Sequence, residues 1–250
     1  MAKLNNIVKF LNKELNIRLI PDKSRNGLQV KTSKDIKKIG FAVDACISTF
    51  EKAKKAKVDL LVVHHGVKWT PQKYKKISKK RIDFLEKNKI ALYAAHLPLD
   101  INEEYGNNIG LCRILNLKNV KKFGRYHRFK IGYKGKFKKN ITINKIANNL
   151  NKKLKTKCNV LNFGKKQIRS IGIVSGGGSE AIEEAVKEKL DCFLVGEIDH
   201  GAHTRLKDYP LNAIIAGHYA TETVGVKALM PVLKEKFNIE TTFIDNPIRL

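Results

Sequence analysis

Two adjacent imidazoles, His64 and His65, close the apolar run LLVV and are followed by Gly66. Farther along, His96 and Asp100 stand four apart in ALYAAHLPLD, and His218 and Glu222 repeat that spacing in GHYATE. Neutral imidazole and carboxylate are the donors that Zn, Fe, Mn and Ni sites use. His64, His65, Asp100, His218 and Glu222 offer three nitrogen and two oxygen donors, too many for one catalytic tetrahedral ion. They suit two divalent ions with a bridging carboxylate. A lone buried histidine is more often a hydrogen-bonded core residue, so the doublet and the two further His-and-acid pairs are what favour ligation.

Such residues need rigid elements to hold them. The runs KKIGFAVDA, VDLLVVHHG, IALYAAHLPLD, RFKIGYKGKFKK, CNVLNFG, QIRSIGIVS, LDCFLVGE, NAIIAGHY and IETTFID read as strands. Between them STFEKAKKAK, IDFLEKNK, TINKIANNLNKKL, SEAIEEAVKEK, HGAHTRLKD and TETVGVKALMPVLKEKF read as helices, the first opened by a capping box from Ser48 to Glu51. Alternation of this kind predicts an α/β fold. Consecutive strand residues point to opposite faces, so His64 and His65 are expected to converge only where the chain turns at Gly66.

The chain also repeats itself. Residues 39–63 align without a gap on 171–195, with eight of 25 positions identical, and 91–100 lie over 213–222, matching His96 and Asp100 to His218 and Glu222. Two related α/β domains are expected, 1–125 and 126–250. The ends of their parallel strands are where ligands sit in open α/β sheets.

Other residues near those ends invite roles. GEIDHGAH places Glu197, Asp199, His200 and His203 together, with Glu197 aligned on His65; Glu197 and His200 are candidates for proton transfer or substrate binding, with support of neighbouring groups or a subunit contact as the alternative. His96 is read as an orienter of ligands. SGGGSE, 175–180, joins a strand to a helix, where glycines let backbone N–H groups approach an anion; a tight turn with Ser179 as cap and Glu180 in the first turn is the other reading, and the Walker lysine and the GxGxxG spacing are lacking. His127 in GRYHRF reads as a surface residue.

Fifty Lys and Arg stand against 23 Asp and Glu, a formal net charge of +27. Residues 105–179 carry 19 of those cations and no acidic side chain, so nucleic acid is a partner that the charge fits. A lysine-rich composition without such a partner is the other reading. Four scattered cysteines, Cys46, Cys112, Cys158 and Cys192, argue against a disulfide framework and are expected to be reduced core residues. No apolar run reaches about 18 residues, and the amphipathic N-terminus lacks a signal-peptide core, which points to a cytoplasmic protein without a membrane partner.

In order, RNGLQV, KKIGFAVDAC, VDLLVVHHG, ALYAAHLPLD, SGGGSE, LVGEIDH and GHYATE resemble the NGG-one interacting factor three family, whose members are often described as GTP cyclohydrolase 1 type 2 homologues. The resemblance implies two interlocked α/β domains with an internal duplication, and a C-terminal segment that crosses over to the first domain. It also implies a dinuclear metal site between the domains and a homohexameric ring. By motif, His65 and Asp100 would serve one metal and His64 and His218 the other, with Glu222 bridging. Two departures stand out: the aromatic-Asp-Asn that usually precedes GLQV is DKSRN here, and the common HHP is HHG. The function so implied is hydrolysis of a nucleotide-like molecule by metal-activated water, at the imidazole ring of GTP or at a phosphoester. A non-catalytic metal-containing protein that binds nucleic acid, regulates or handles metal is the alternative.

Overall fold

The computed structural model describes residues 1–32 and 35–248. In chain order its elements begin with α1 (Leu4–Glu14), β1 (Gly27–Val30), β2 (Lys38–Asp44), α2 (Ile47–Lys55), β3 (Leu60–His65), α3 (Lys75–Lys87), β4 (Ala91–Ala94) and α4 (Leu97–Asp100). Next come α5 (Asn107–Ile114), β5 (Lys118–Tyr126), β6 (Phe129–Thr142), α6 (Ile143–Leu154), β7 (Asn159–Leu161) and β8 (Gln167–Gly177). A 3-10 turn at Ser179–Ala181 leads into α7 (Ile182–Lys187), β9 (Cys192–Glu197), α8 (His200–Asp208), β10 (Asn212–Ile215), α9 (His218–Phe237) and β11 (Glu240–Phe243).

Two compact units result. The first takes in Met1–Asn102 and Gly225–Asn246, the second Glu103–Val224 with the tail from Pro247. The divisions fall at 102/103 and inside α9, where the sequence reading places one boundary at 125/126.

In the first unit a five-stranded sheet runs β1-β4-β3-β2-β11, parallel except for β1. Leu60–Val63 are wholly buried, as central parallel strands covered on both faces must be. Phe50 of α2, Leu85 of α3 and Val63 and Leu92 of the sheet share one core. Burying each such side chain contributes about 1.5–3 kcal/mol. The expected capping box is corrected: α2 begins at Ile47 with Cys46 as its extended N-cap, no side chain caps it, and Ser48 lies inside the helix. The Ser48 hydroxyl instead accepts a hydrogen bond from Asn246 Nδ2 at 2.9 Å.

The second unit has a six-stranded sheet in the order β5-β6-β8-β9-β10-β7. Its centre, β8-β9-β10, is parallel, and β5, β6 and β7 add antiparallel flanks. Period-two alternation along β9 feeds two cores. Cys192 and Leu194 join Ile146 and Leu150 of α6, whereas Phe193 and Val195 join Ile182 of α7 and Leu206 of α8. Helices therefore cover both faces, as the α/β expectation requires. Among the cysteines, Cys112 and Cys192 are buried, but Cys46 and Cys158 are partly exposed, which corrects their reading as core residues; all four are free thiols.

Strand pairing carries the duplication. Ile39 pairs with Leu60 and Ala42 with Val63; 132 residues on, Ile171 pairs with Cys192 and Val174 with Val195. The next strand breaks that offset: Val63 pairs with Ala94 and Val195 with Ile215, and the Ala95 and Ala216 N–H groups each bond the valine carbonyl at 2.9 Å. By backbone register His96 therefore corresponds to Gly217, and His218 lies one residue beyond.

Candidate metal centre

In the first unit three imidazoles gather where β3 and β4 end. One ring nitrogen each from His64, His65 and His96 lies within 4.8 Å of the other two. Ring centroids are 4.7 Å apart for His64–His65, 5.0 Å for His64–His96 and 5.4 Å for His65–His96. Both members of the doublet still belong to β3, so no turn precedes His65; each ring is tied sideways to a different neighbouring strand end.

Oxygen acceptors fix the tautomers. His64, fully buried, has Nδ1 2.9 Å from the Ala95 carbonyl, which can only accept, so Nδ1 carries the hydrogen and Nε2 the lone pair. His65 Nδ1 is 2.8 Å from Asp44 Oδ1, and His96 Nδ1 is 3.0 Å from Asp22 Oδ1. A carboxylate or carbonyl behind each ring is how metal-ligating histidines are oriented and made more basic. Asp100, buried at the end of α4, places Oδ2 3.4 Å from His64 Nε2. Imidazole nitrogens converging in this way fit a divalent transition metal.

Supporting residues come from DKSRN and GLQV. Asp22 also accepts from Ser24 N at 2.9 Å, Asn26 Nδ2 at 2.9 Å and Leu97 N at 3.0 Å. Burial alone would raise its pKa, but the His96 imidazole and these hydrogen bonds outweigh that and hold it at about 2. Asn26 Oδ1 accepts from His96 N at 2.7 Å. Gln29 Oε1 accepts from Val67 N at 2.7 Å and Lys68 N at 3.1 Å, bracing the chain just after the doublet. A Cβ on Gly66 would stand 2.3 Å from Gln29 Nε2 and 2.7 Å from Ala94 Cβ, which is why a glycine follows the histidines.

In the second unit His218 and Glu222 face each other on successive turns of α9, His218 Nε2 lying 3.0 Å from Glu222 Oε1. His218 Nδ1 is 3.0 Å from Glu197 Oε1 at the end of β9. Glu222 is buried, whereas the Glu197 side chain is half-exposed. Gly176 lies against this pair at a φ of +62°, and a Cβ there would sit 2.2 Å from Glu222 Oε1 and 3.1 Å from His218 Nε2. Gly176 of SGGGSE thus seats the His-and-acid pair. Ser179 opens the 3-10 turn and makes no side-chain cap, a correction to its expected role, while Glu180 does lie in the first turn. Beside Glu197 a cavity of about 330 Å³ is lined by Gly177, Gly178, Ser179, Glu180, Ile198 and Asp199.

Asp199 caps α8, accepting from Ala202 N at 2.8 Å. His200 follows it and is exposed, with no hydrogen bond or ion pair to His218 or Glu222 among the described residues. His203 packs edge-on against Phe163.

A model of the family described as Duf34/NIF3 (NGG1p interacting factor 3) matches residues 2–247. The chain belongs to that family. A relative from Pyrococcus horikoshii, named GTP cyclohydrolase 1 type 2 homolog, is 48% identical over 98% of both chains. The solved structure of protein ybgI, described as of unknown function, superposes with a TM-score of 0.92 at 28% identity over 100% of both chains. A structure from Thermus thermophilus gives 0.89 at 34% identity, covering 98% of this chain and 99% of that one. This Duf34/NIF3 member holds its HHG and GHxxTE segments in the geometry just described. Sequence reasoning missed Asp22, Asn26 and Asp44, whose only signal is that metal-bound histidines need acceptors behind them. Among the described residues no helix is long and apolar enough to cross a membrane.

Proposed function

We propose that this Duf34/NIF3 protein is a hydrolase of a nucleotide-like substrate that holds two divalent ions through His64, His65, Asp100, His218 and Glu222, with the His96 ring packed beside His64 and His65 to position them. The observation that carries the reading is the imidazole group of His64, His65 and His96, each with Nδ1 held by an oxygen acceptor. Ions bound by such donors supply Lewis acidity, lowering the pKa of water and offsetting charge that builds on an attacked carbon or phosphorus.

The protein's own groups do the remaining work. Ala95, Asp44 and Asp22 keep the three lone pairs on Nε2. Glu222, whose carboxylate lies against the open side of Gly176, would help hold the ions. Glu197, at the cavity rim and in contact with His218, takes a proton from the nucleophile and returns it to the leaving group. The name carried by the relatives supports a nucleotide as substrate. The hexameric ring belongs to the same proposal, and light scattering checks it.

Metal analysis of purified wild type, Glu222→Gln and Glu197→Gln, with turnover on a panel of nucleotides, tests the reading. Glu222→Gln should lose both metal and turnover, and Glu197→Gln should keep metal and lose turnover. A metal-loaded wild type inert on every nucleotide would leave a metal-binding protein that is not a hydrolase of this class.

A further inference from the structure

Ten of the 19 cations of the acid-free block lie on the β5–β6 hairpin of the second unit, which holds none of the metal-binding motifs. Strand register sets Lys118 opposite Lys136, Lys121 opposite Lys134 and Arg125 opposite Lys130. Like charges directly opposed weaken a sheet. Carboxylates relieve part of this: Glu184 is 3.5 Å from Lys130, Glu188 pairs with Lys134, and Glu103 with Lys122. Lys118, Lys121, Arg128, Lys136 and Lys138 are exposed and form no ion pair with a carboxylate within 4.0 Å among the described residues, whereas the Arg125 backbone N–H donates to Glu184 Oε2 at 2.7 Å. Lysines on β5, an edge strand, also discourage edge-to-edge pairing. That does not account for Lys136 and Lys138, because β6 is an interior strand.

The tip adds rings to the charge. Tyr126 pairs with Phe129 across the turn, both half-buried, with exposed His127 and Arg128 between them. His127 packs edge-on to Tyr126 at 4.5 Å, and Arg128 lies 5.2 Å over the Phe129 ring. Cations that follow a backbone beside rings that accept a base are the two ingredients of single-strand binding.

We propose that the β5–β6 hairpin binds single-stranded nucleic acid, phosphates along its lysines and an unstacked base at the Tyr126–Phe129 tip. A duplex keeps its bases stacked and offers the tip nothing, and an anionic membrane or acidic protein offers charge without bases.

Fluorescence anisotropy tests this with labelled 20-nucleotide RNA and DNA of one sequence, the matching duplex, heparin, and vesicles of anionic phospholipid as competitors. Single strands should bind with strong salt dependence, and the duplex should bind more weakly. A Lys118→Gln, Lys121→Gln, Lys136→Gln variant should lose on the order of tenfold in affinity and lower the salt slope by about 2, at about 0.7 per phosphate contact. Tyr126→Ala should lose roughly fivefold or more. His127→Gly suits the positive φ at that turn and should lose affinity with the fold intact, as circular dichroism will report. A control with the same charge change at the C-terminal end of α6, Lys152→Gln, Lys153→Gln, Lys155→Gln, should bind like wild type. Equal loss in the two charge variants, indifference to Tyr126→Ala and His127→Gly, or stronger binding to vesicles or duplex would overturn the proposal.

Discussion

Asp59 and Asp191, 132 residues apart, perform the same task in the two units. Asp59 Oδ2 accepts the N–H groups of Lys37 and Lys38 at 2.8 and 3.0 Å. Asp191 Oδ2 accepts those of Arg169 and Ser170, both at 3.0 Å. Each carboxylate, just ahead of one parallel strand, satisfies the two backbone donors of its neighbour that come immediately before the parallel pairing begins, at Ile39 and at Ile171. At Asp191, burial works to raise the pKa, but the Lys165 ammonium and the N–H groups outweigh it and hold the carboxyl below its usual value. A depressed folded pKa stabilises the fold above the unfolded value, about 3.9, and that contribution is lost as pH falls below it. Asp191→Ala should therefore lower the thermal midpoint by a few degrees at pH 7, from about 1–2 kcal/mol of lost hydrogen bonding. Scanning calorimetry should find the gap between variant and wild type narrowing below about pH 4; a constant gap would refute the assignment.

Trp69, the only tryptophan in the chain, stands 5.2 Å from the His96 ring and 6.2 Å from His65, centroid to centroid. Its emission should change when Zn, Mn or Ni is titrated into chelator-treated protein. His65→Ala and His96→Ala should each abolish or greatly weaken that change. An unchanged titration in both variants would place the metal elsewhere.

Gly176→Ala should cost metal occupancy and stability together, since the new methyl meets Glu222 Oε1 at 2.2 Å and the positive φ adds about 1–2 kcal/mol of strain. Gly177→Ala is the control. Its Cβ finds Glu197 Oε1 at 3.8 Å, an ordinary contact, so metal content and melting temperature should stay near wild type.

Asp22→Asn replaces the carboxylate behind His96 with a neutral group of the same shape. Metal affinity measured by chelator competition should drop roughly 10–100-fold, as for other acceptors behind metal-binding histidines. No change would mean that Asp22 serves only the loop it also caps.

The sequence made some of this plain and hid the rest. Strands dense in branched residues, LLVV and CFLV above all, declared themselves through apolar runs, and the duplication through a gapless match. β5 stayed hidden because KNVKKFGRY has too few apolar residues to show a buried face; its partner β6 is what makes it a strand. The His-and-acid spacing pointed to the His218–Glu222 pair of α9. It also aligned His96 with His218, although backbone register sets His96 against Gly217. Asp22 and Asn26 reach His96 across some seventy residues of chain, a distance at which local pattern carries no information.

The two copies also differ in how much chain they spend between equivalent strands. Residues 66–90 join β3 to β4, whereas the shorter stretch 198–211 joins β9 to β10. Peptide added in such a crossover leaves the paired strands undisturbed, so it is where a duplicated gene can acquire novelty at little structural risk. The longer connection holds Trp69, so the ring beside His65 and His96 lies in the stretch by which the two copies differ most in length.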